Sequence, residues 1–360
     1  MATATKPRTS SRTMHALMKT QATSGASLER PPVPEPGPND VLVAVQAASI
    51  CGTDLHIYSW DPVMRERIHP PLIFGHEFCG VVERVGSEVT EVKPGQFVSA
   101  EMHVACGHCL QCRIGQQHLC QKLEIIGIER DGCFAEYVKI PASNILPIDP
   151  AIPRDYAAIL DPLGNAVHAV LAGEIAGQTV AVVGCGPIGL MSIQVARACG
   201  ASAVFGIEIK PQRIQLAERV GADAVFNPKE ADAVAAVRAA TGGAGADVVL
   251  EMSGNPRAIE QAFQMLRAGG RISLLGLPAE PVKLNLVDAI IFKGATVQGI
   301  YGRRMYDTWY RMLSLLKAGR LDLEPIISER LPLGDYQRAF DLLAKGEASK
   351  ILLYPNGTPK

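Results

Sequence analysis

The stretch TVAVVGCGPIGLMSIQVARACG (residues 179–200) runs from an apolar strand through a glycine-rich turn into a helix. Gly184, Gly186 and Gly189 match G-x-G-x-x-G, and Pro187 suits the first helical position, where a missing N–H is no loss. The triplet alone is a weak signal, since it also occurs in ordinary tight turns. Here a strand precedes it, a helix follows it, and Glu208 stands about 20 residues further on, as a dinucleotide-binding fingerprint requires. Such glycines let the backbone approach a pyrophosphate, and the helix N-terminus supplies unpaired N–H groups and a partial positive charge. Glu208 also favours NAD over NADP, because a carboxylate there accepts hydrogen bonds from ribose hydroxyls and repels a 2′-phosphate. Lys210 and Arg213 lie close by and blur that field; Arg213 reads either as a solvated helix residue or as a ribose contact.

The alternation continues outward. Further strand-like runs are AVFGIEI (203–209), DAVFNP (223–228), ADVVLEM (246–252), RISLLGL (271–277) and ATVQGIY (295–301), with helical segments between most of them. Six strands in βαβ order predict an α/β fold with a doubly wound, six-stranded parallel sheet of the Rossmann type. Upstream, RPPVPEPGPND (30–40) reads as a connector, and from VLVAVQAASI (41–50) to about residue 145 short β-like runs alternate with Gly/Pro turns. The texture changes near Asp161, where PLGNAVHAVLAGEIA takes helical spacing. Boundaries are expected at 1–163 for a β-rich domain carrying a cysteine lobe at 103–121, at 164–301 for the dinucleotide domain, and at 302–360 for a return to the first domain.

A chain of 360 residues, 48% hydrophobic and 20% charged, is long enough for two domains and needs no disulfides to build a core. Thirty-five Lys and Arg against 36 Asp and Glu leave a net charge of −1, which gives no footprint for nucleic acid or an anionic membrane. No stretch approaches the roughly 18 consecutive apolar residues of a membrane span. Nine cysteines, an odd number in a chain without a signal-peptide core, argue for reduced thiols and a cytoplasmic location. The first 13 residues carry Lys6, Arg8 and Arg12 and no acid, which hints at a transit peptide; a frayed tail is the plainer expectation.

Four of the cysteines crowd together as Cys106-x2-Cys109-x2-Cys112-x7-Cys120. Four thiolates at that spacing can surround one tetrahedral zinc in a closed site. An iron–sulfur cluster is the chemical competitor. His108 and His118 are not needed as ligands. A second set, Cys51 with His76 and Glu77, offers a thiolate, an imidazole and a carboxylate, the donors of a catalytic zinc with one position left open. Read singly, Cys51 is equally a small buried hydrophobe, and His76 and Glu77 a satisfied polar turn.

Taken together, the GHE at 75–77, the four-cysteine lobe and the glycine motif resemble the zinc-containing medium-chain dehydrogenases, from Met14 onward. The resemblance implies a GroES-like catalytic domain beside the Rossmann domain, with catalytic zinc on Cys51, His76 and Glu77. Structural zinc would sit on Cys106, Cys109, Cys112 and Cys120. It implies a proton relay through Thr53 and His56, with Asp161 as the acidic position supporting it. Ile188, Glu208, Arg213, Leu275, Gly276, Leu277, Ile300 and Tyr301 would line the NAD site, and the assembly would be a homotetramer. The strings ICGTDLHIYSWD (50–61), CGHCLQCRIGQQHLC (106–120), DPLGNAVHAVL (161–171), EMSGNP (251–256) and IFKGATVQGIYGRRMYDTWY (291–310) are similar to members that oxidise the β-hydroxyl of the small-molecule substrate L-threonine. A zinc-dependent polyol or diol dehydrogenase is the alternative, and a non-enzymatic NAD-binding scaffold is the reading from another class. Two departures narrow the choice: the segment near 161 lacks the second zinc cysteine of alcohol dehydrogenases, and polyol enzymes lack the Gly-Asn after Pro162-Leu163. His103 reads as a substrate contact or a satisfied strand histidine, and Arg303 and Arg304 as anion contacts or solvated loop residues.

Overall fold

The computed structural model describes residues 12–358, so the expectation for the tail at Lys6 and Arg8 lies outside the described residues. Arg12 donates to the Tyr137 hydroxyl and lies 3.5 Å from the Glu83 carboxylate. The chain forms two units. The first takes residues up to Cys106, Gln121–Leu160 and Ser328 onward; the second takes Gly107–Cys120 and Asp161–Ile327.

The first unit is built around the ten-residue strand Asp40–Ser49, which is buried along nearly its whole length. Its run of Val, Leu and Ala suits a strand covered on both faces. It pairs antiparallel with Glu77–Val85 along one edge, and with Tyr137–Pro141 and then Lys350–Tyr354 along the other. Phe97–Ala100, Ile145–Pro147 and Ile327–Pro332 complete the seven-stranded sheet, and Ser27–Glu29, Ala16–Lys19 and Leu72–Ile73 form a smaller one. Phe74, Phe134 and Phe340 are fully buried beneath it, with Tyr58 stacked on Phe340. Each such side chain stabilises the fold by about 1.5–3 kcal/mol relative to exposure. Register then places chemistry. Ser49 stands opposite Glu77 on one side and opposite Leu352 on the other, so the last strand delivers Lys350 to the same end of the sheet.

In the second unit the expected six strands form one parallel sheet, in the order Ala224–Phe226, Ala203–Ile207, Thr179–Val183, Ala246–Glu251, Leu266–Leu274, Thr296–Gly299. The order reverses direction beside Thr179–Val183, which is the crevice where doubly wound sheets bind ligands. The helix Pro187–Ala198 starts with Gly186 as its N-cap and Pro187 at its first position. A Cβ on Gly189 would lie 2.0 Å from the Gly184 carbonyl oxygen, so only glycine lets this helix pack against the turn.

Two boundaries differ from expectation. The return to the first unit begins at Ser328 and not at 302, because Arg303, Trp309 and Met312 are completely buried within the second unit. Gly164 makes room for them: a Cβ there would meet the Arg303 side chain at 2.5 Å. Residues Gly107–Cys120 also pack with the second unit, where His118 meets the His168 ring edge-on at 5.6 Å between centroids. No helix among the described residues is long and apolar enough to cross a membrane.

Candidate active site

Cys51 occupies the N-cap of the helix Gly52–Ser59, in extended backbone conformation. Asp54, at the third helical position, accepts the Cys51 N–H at 2.8 Å, which is half of a capping box and fixes where the thiol points. The sulfur lies 3.8 Å from the Thr53 hydroxyl. His76 and Glu77 enter from the start of the strand Glu77–Val85, and the Glu77 carboxylate, the His76 ring and the Cys51 sulfur offer donor atoms all within 4.8 Å of one another. Asp54 backs the set, with Oδ1 3.7 Å from His76 Nδ1. Burial raises the Asp54 carboxyl to about pKa 6, against the pull of His76.

The two oxygens of Glu77 have different surroundings. Oε2 accepts from the Ser49 hydroxyl and the Lys350 ammonium, which also donates to the Ile50 carbonyl at 2.9 Å. Burial works against the charge on Lys350, but the Glu77 carboxylate and the Cys51 sulfur outweigh it and hold the ammonium above its usual pKa. Oε1 is buried and has no hydrogen-bond partner among the described residues. A buried acceptor left unsatisfied costs about 1–3 kcal/mol. A cation shared with the thiolate and imidazole removes that penalty, so the donor set fits a zinc held by three protein ligands.

His56 is exposed and pairs through Nδ1 with the Asp61 carboxylate. His103 is buried, with Nδ1 2.9 Å from Glu101 Oε1, which is the satisfied-histidine arrangement. Asp161 pairs with the fully buried Arg303 at 2.8 Å, and Arg303 also reaches Asn165 Oδ1 at 3.4 Å. Arg303 is therefore no solvated loop residue; Arg304 next to it is exposed.

Cys106, Cys109, Cys112 and Cys120 also bring their sulfurs within 4.8 Å of one another, with Cys109 3.5 Å from Cys112 and 3.9 Å from Cys120. Zinc–sulfur bonds of about 2.3 Å in tetrahedral array put sulfurs roughly 3.8 Å apart. A multi-iron cluster seats its thiolates on separate irons and needs a wider set, so one ion suits this lobe better. None of the nine cysteines is in a disulfide.

In the second unit, Gly184, Gly186, Glu208 and Arg213 line a cavity of about 420 Å³ together with Ser253 and Asn255. Gly189, Ile188, Leu275, Gly276, Leu277, Ile300 and Tyr301 do not line it. Gly276 instead packs on the neighbouring turn, where a Cβ would meet Gly254 N at 2.1 Å, and Leu277 and Tyr301 are exposed. The Glu208 carboxylate accepts N–H groups of Cys185 at 3.0 Å, Ile209 at 2.8 Å and Lys210 at 3.0 Å, with Arg213 3.9 Å away. A carboxylate has about four lone-pair sites, so Glu208 keeps capacity for a ribose hydroxyl.

Five residues of these sites escape a reading of residue types. Ser253 and Asn255 lie in the distinctive EMSGNP string, and Asp54 was open to view as a capping residue. Ser49 and Lys350 left no local signal, since only strand register brings them to Glu77.

Comparison with known proteins completes the description. A family model described as alcohol dehydrogenase GroES-like domain matches residues 37–150, and one described as zinc-binding dehydrogenase matches residues 187–318. The chain is 50% identical over 345 residues to the L-threonine 3-dehydrogenase of Symbiobacterium thermophilum, covering 96% of this chain and 98% of that protein. It is 48% identical over 342 residues to the L-threonine 3-dehydrogenase of Bacillus licheniformis, covering 95% and 99%. Among solved structures, 2R,3R-butanediol dehydrogenase from Bacillus subtilis is similar with a TM-score of 0.87 at 31% identity, covering 95% of this chain and 100% of that one.

Proposed function

The chain belongs to the zinc-binding medium-chain dehydrogenase family, and from that premise we propose that it oxidises L-threonine to 2-amino-3-ketobutyrate with NAD⁺ as hydride acceptor. The observation that carries alcohol oxidation is the Cys51, His76 and Glu77 set with one carboxylate oxygen buried and unsatisfied. The substrate rests on relatives of that name at 48–50% identity over nearly the full chain, against 31% for the butanediol enzyme.

Cys51, His76 and Glu77 would hold one zinc, and Cys106, Cys109, Cys112 and Cys120 a second with a structural role. When bound, the first would supply Lewis acidity that makes the substrate hydroxyl proton easier to lose. Thr53, whose hydroxyl lies beside the Cys51 sulfur, receives that proton. His56 passes it to solvent: Asp61 engages Nδ1, which leaves Nε2 as the exchanging nitrogen. Asp161, tied to Arg303, supports the relay without being a ligand. The Gly184–Gly189 turn and its helix N-terminus take the pyrophosphate, and Glu208 the adenosine ribose. We assign the enzyme to the cytoplasm on nine cysteines of which none is in a disulfide, and to a homotetramer on its family resemblance.

The test is NADH formation from L-threonine by the purified chain before and after chelation. Activity lost to the chelator and restored by zinc supports the reading. A rate indifferent to chelation, or NAD binding with no turnover, overturns it.

A further inference from the structure

We infer that Lys350 is a positioning residue that restricts Glu77 to a single metal-facing oxygen and weakens the hold of the site on its ion. This rests on the metal role proposed for Cys51, His76 and Glu77. Strand pairing sets Leu352 against Ser49, and continuing that register brings Lys350 across from Cys51. Lys350 is 2% exposed, and its ammonium and the Ser49 hydroxyl converge on Oε2 of Glu77 alone. Oε1 is left as the one oxygen without a protein donor. A carboxylate free of such donors can offer a cation both oxygens. Lys350, together with Ser49, occupies one of them.

Charge acts in the same sense. Lys350 and a bound dication face the same two anions, the Cys51 thiolate and the Glu77 carboxylate, in surroundings where charges are poorly screened. Each neutralises what the other would neutralise, so the ammonium opposes the metal. An ion held less tightly by its ligands keeps more of its positive charge for a bound hydroxyl. A lysine that only secured the last strand would have none of these consequences.

The test compares the wild-type chain with K350M, K350Q and K350R, titrating zinc against a chromophoric chelator at about pH 8, where carboxylates are ionised. The four-cysteine lobe is common to all of them and is read as the first equivalent. For the second equivalent, K350M and K350Q are expected to bind zinc at least about tenfold more tightly, and K350R like wild type. Zinc should raise the Tm of K350M more than that of wild type. The visible spectrum of the cobalt(II)-substituted K350M should move toward five-coordination, as Oε2, left with the Ser49 hydroxyl alone, keeps lone-pair capacity for the ion. Unchanged or weaker binding in the charge-removed variants overturns the inference, as does an equal Tm loss with and without zinc. K350Q keeps a hydrogen-bonding side chain and serves if K350M does not fold. C51S separates the two levels: if it still binds two equivalents, the metal reading fails, whereas if it binds one and K350M binds as wild type, only the role of Lys350 fails.

Discussion

Thr53 and His56 sit on one short helix in different surroundings, and the relay proposed for them gives each a different end of the proton path. The Thr53 hydroxyl lies next to the Cys51 sulfur, and the His56 ring is exposed and held by Asp61. General acid–base groups contribute about 10²–10⁴-fold in rate, and T53A is expected to lose turnover by that order. Zinc content measured on the same sample should stay at two equivalents; loss of metal would show that Thr53 serves the site structurally instead. At this scale the residue types were legible where chemistry alone narrows them. Cysteine, histidine and glutamate within two short segments offer the donors of a zinc set, and the structure brings those donor atoms together. Ser49 and Lys350 were not legible, because hydroxyl and ammonium groups have many uses and these two meet Glu77 only through pairing of strands distant in sequence.

The elements of the second unit were the most readable. Parallel strands covered by helices on both faces must be apolar along their length, so they stand out as runs such as TVAVV and ADVVLE. Their lateral order is held partly by Asp247, whose carboxylate accepts from the N–H and hydroxyl of Thr179 on the adjacent strand and pairs with Arg267. Burial pushes the Asp247 carboxyl up, but those partners outweigh it and hold its pKa below the usual value. A carboxyl acidified by folding stabilises the native state above about pH 4, and that contribution is lost as pH falls through the depressed value. D247N should therefore have a lower Tm at neutral pH and a shallower loss of Tm on acidification than wild type; parallel Tm–pH curves would contradict this. The cysteine lobe makes a second element-level prediction. Removing one of four ligands from a closed zinc site removes folding energy, so C109S should lose one zinc equivalent and unfold at lower temperature. A C109S chain with unchanged Tm but no activity would contradict a structural role. The boundary after Gly302 was less legible, because it depends on Gly164 leaving space for Arg303, a complementarity of volumes that neither segment announces alone.

For the whole molecule, the fold class followed from strand–helix alternation, and the α/β reading agrees with matches spanning residues 37–150 and 187–318. Substrate choice is another matter. The family shares zinc chemistry across alcohols of many shapes, and differences among them reside in side chains that residue type does not reveal. Discrimination among substrates is a ratio of kcat/KM values, so the decisive measurement is a direct competition among candidates. Initial rates of NADH formation by the zinc-replete chain should be compared for L-threonine, D-threonine, L-serine, sorbitol and 2,3-butanediol. L-threonine is expected to have the highest kcat/KM, with its D-enantiomer poorly used. A higher kcat/KM for sorbitol or butanediol would contradict this, leaving the zinc sites and the hydride chemistry in place on a different substrate.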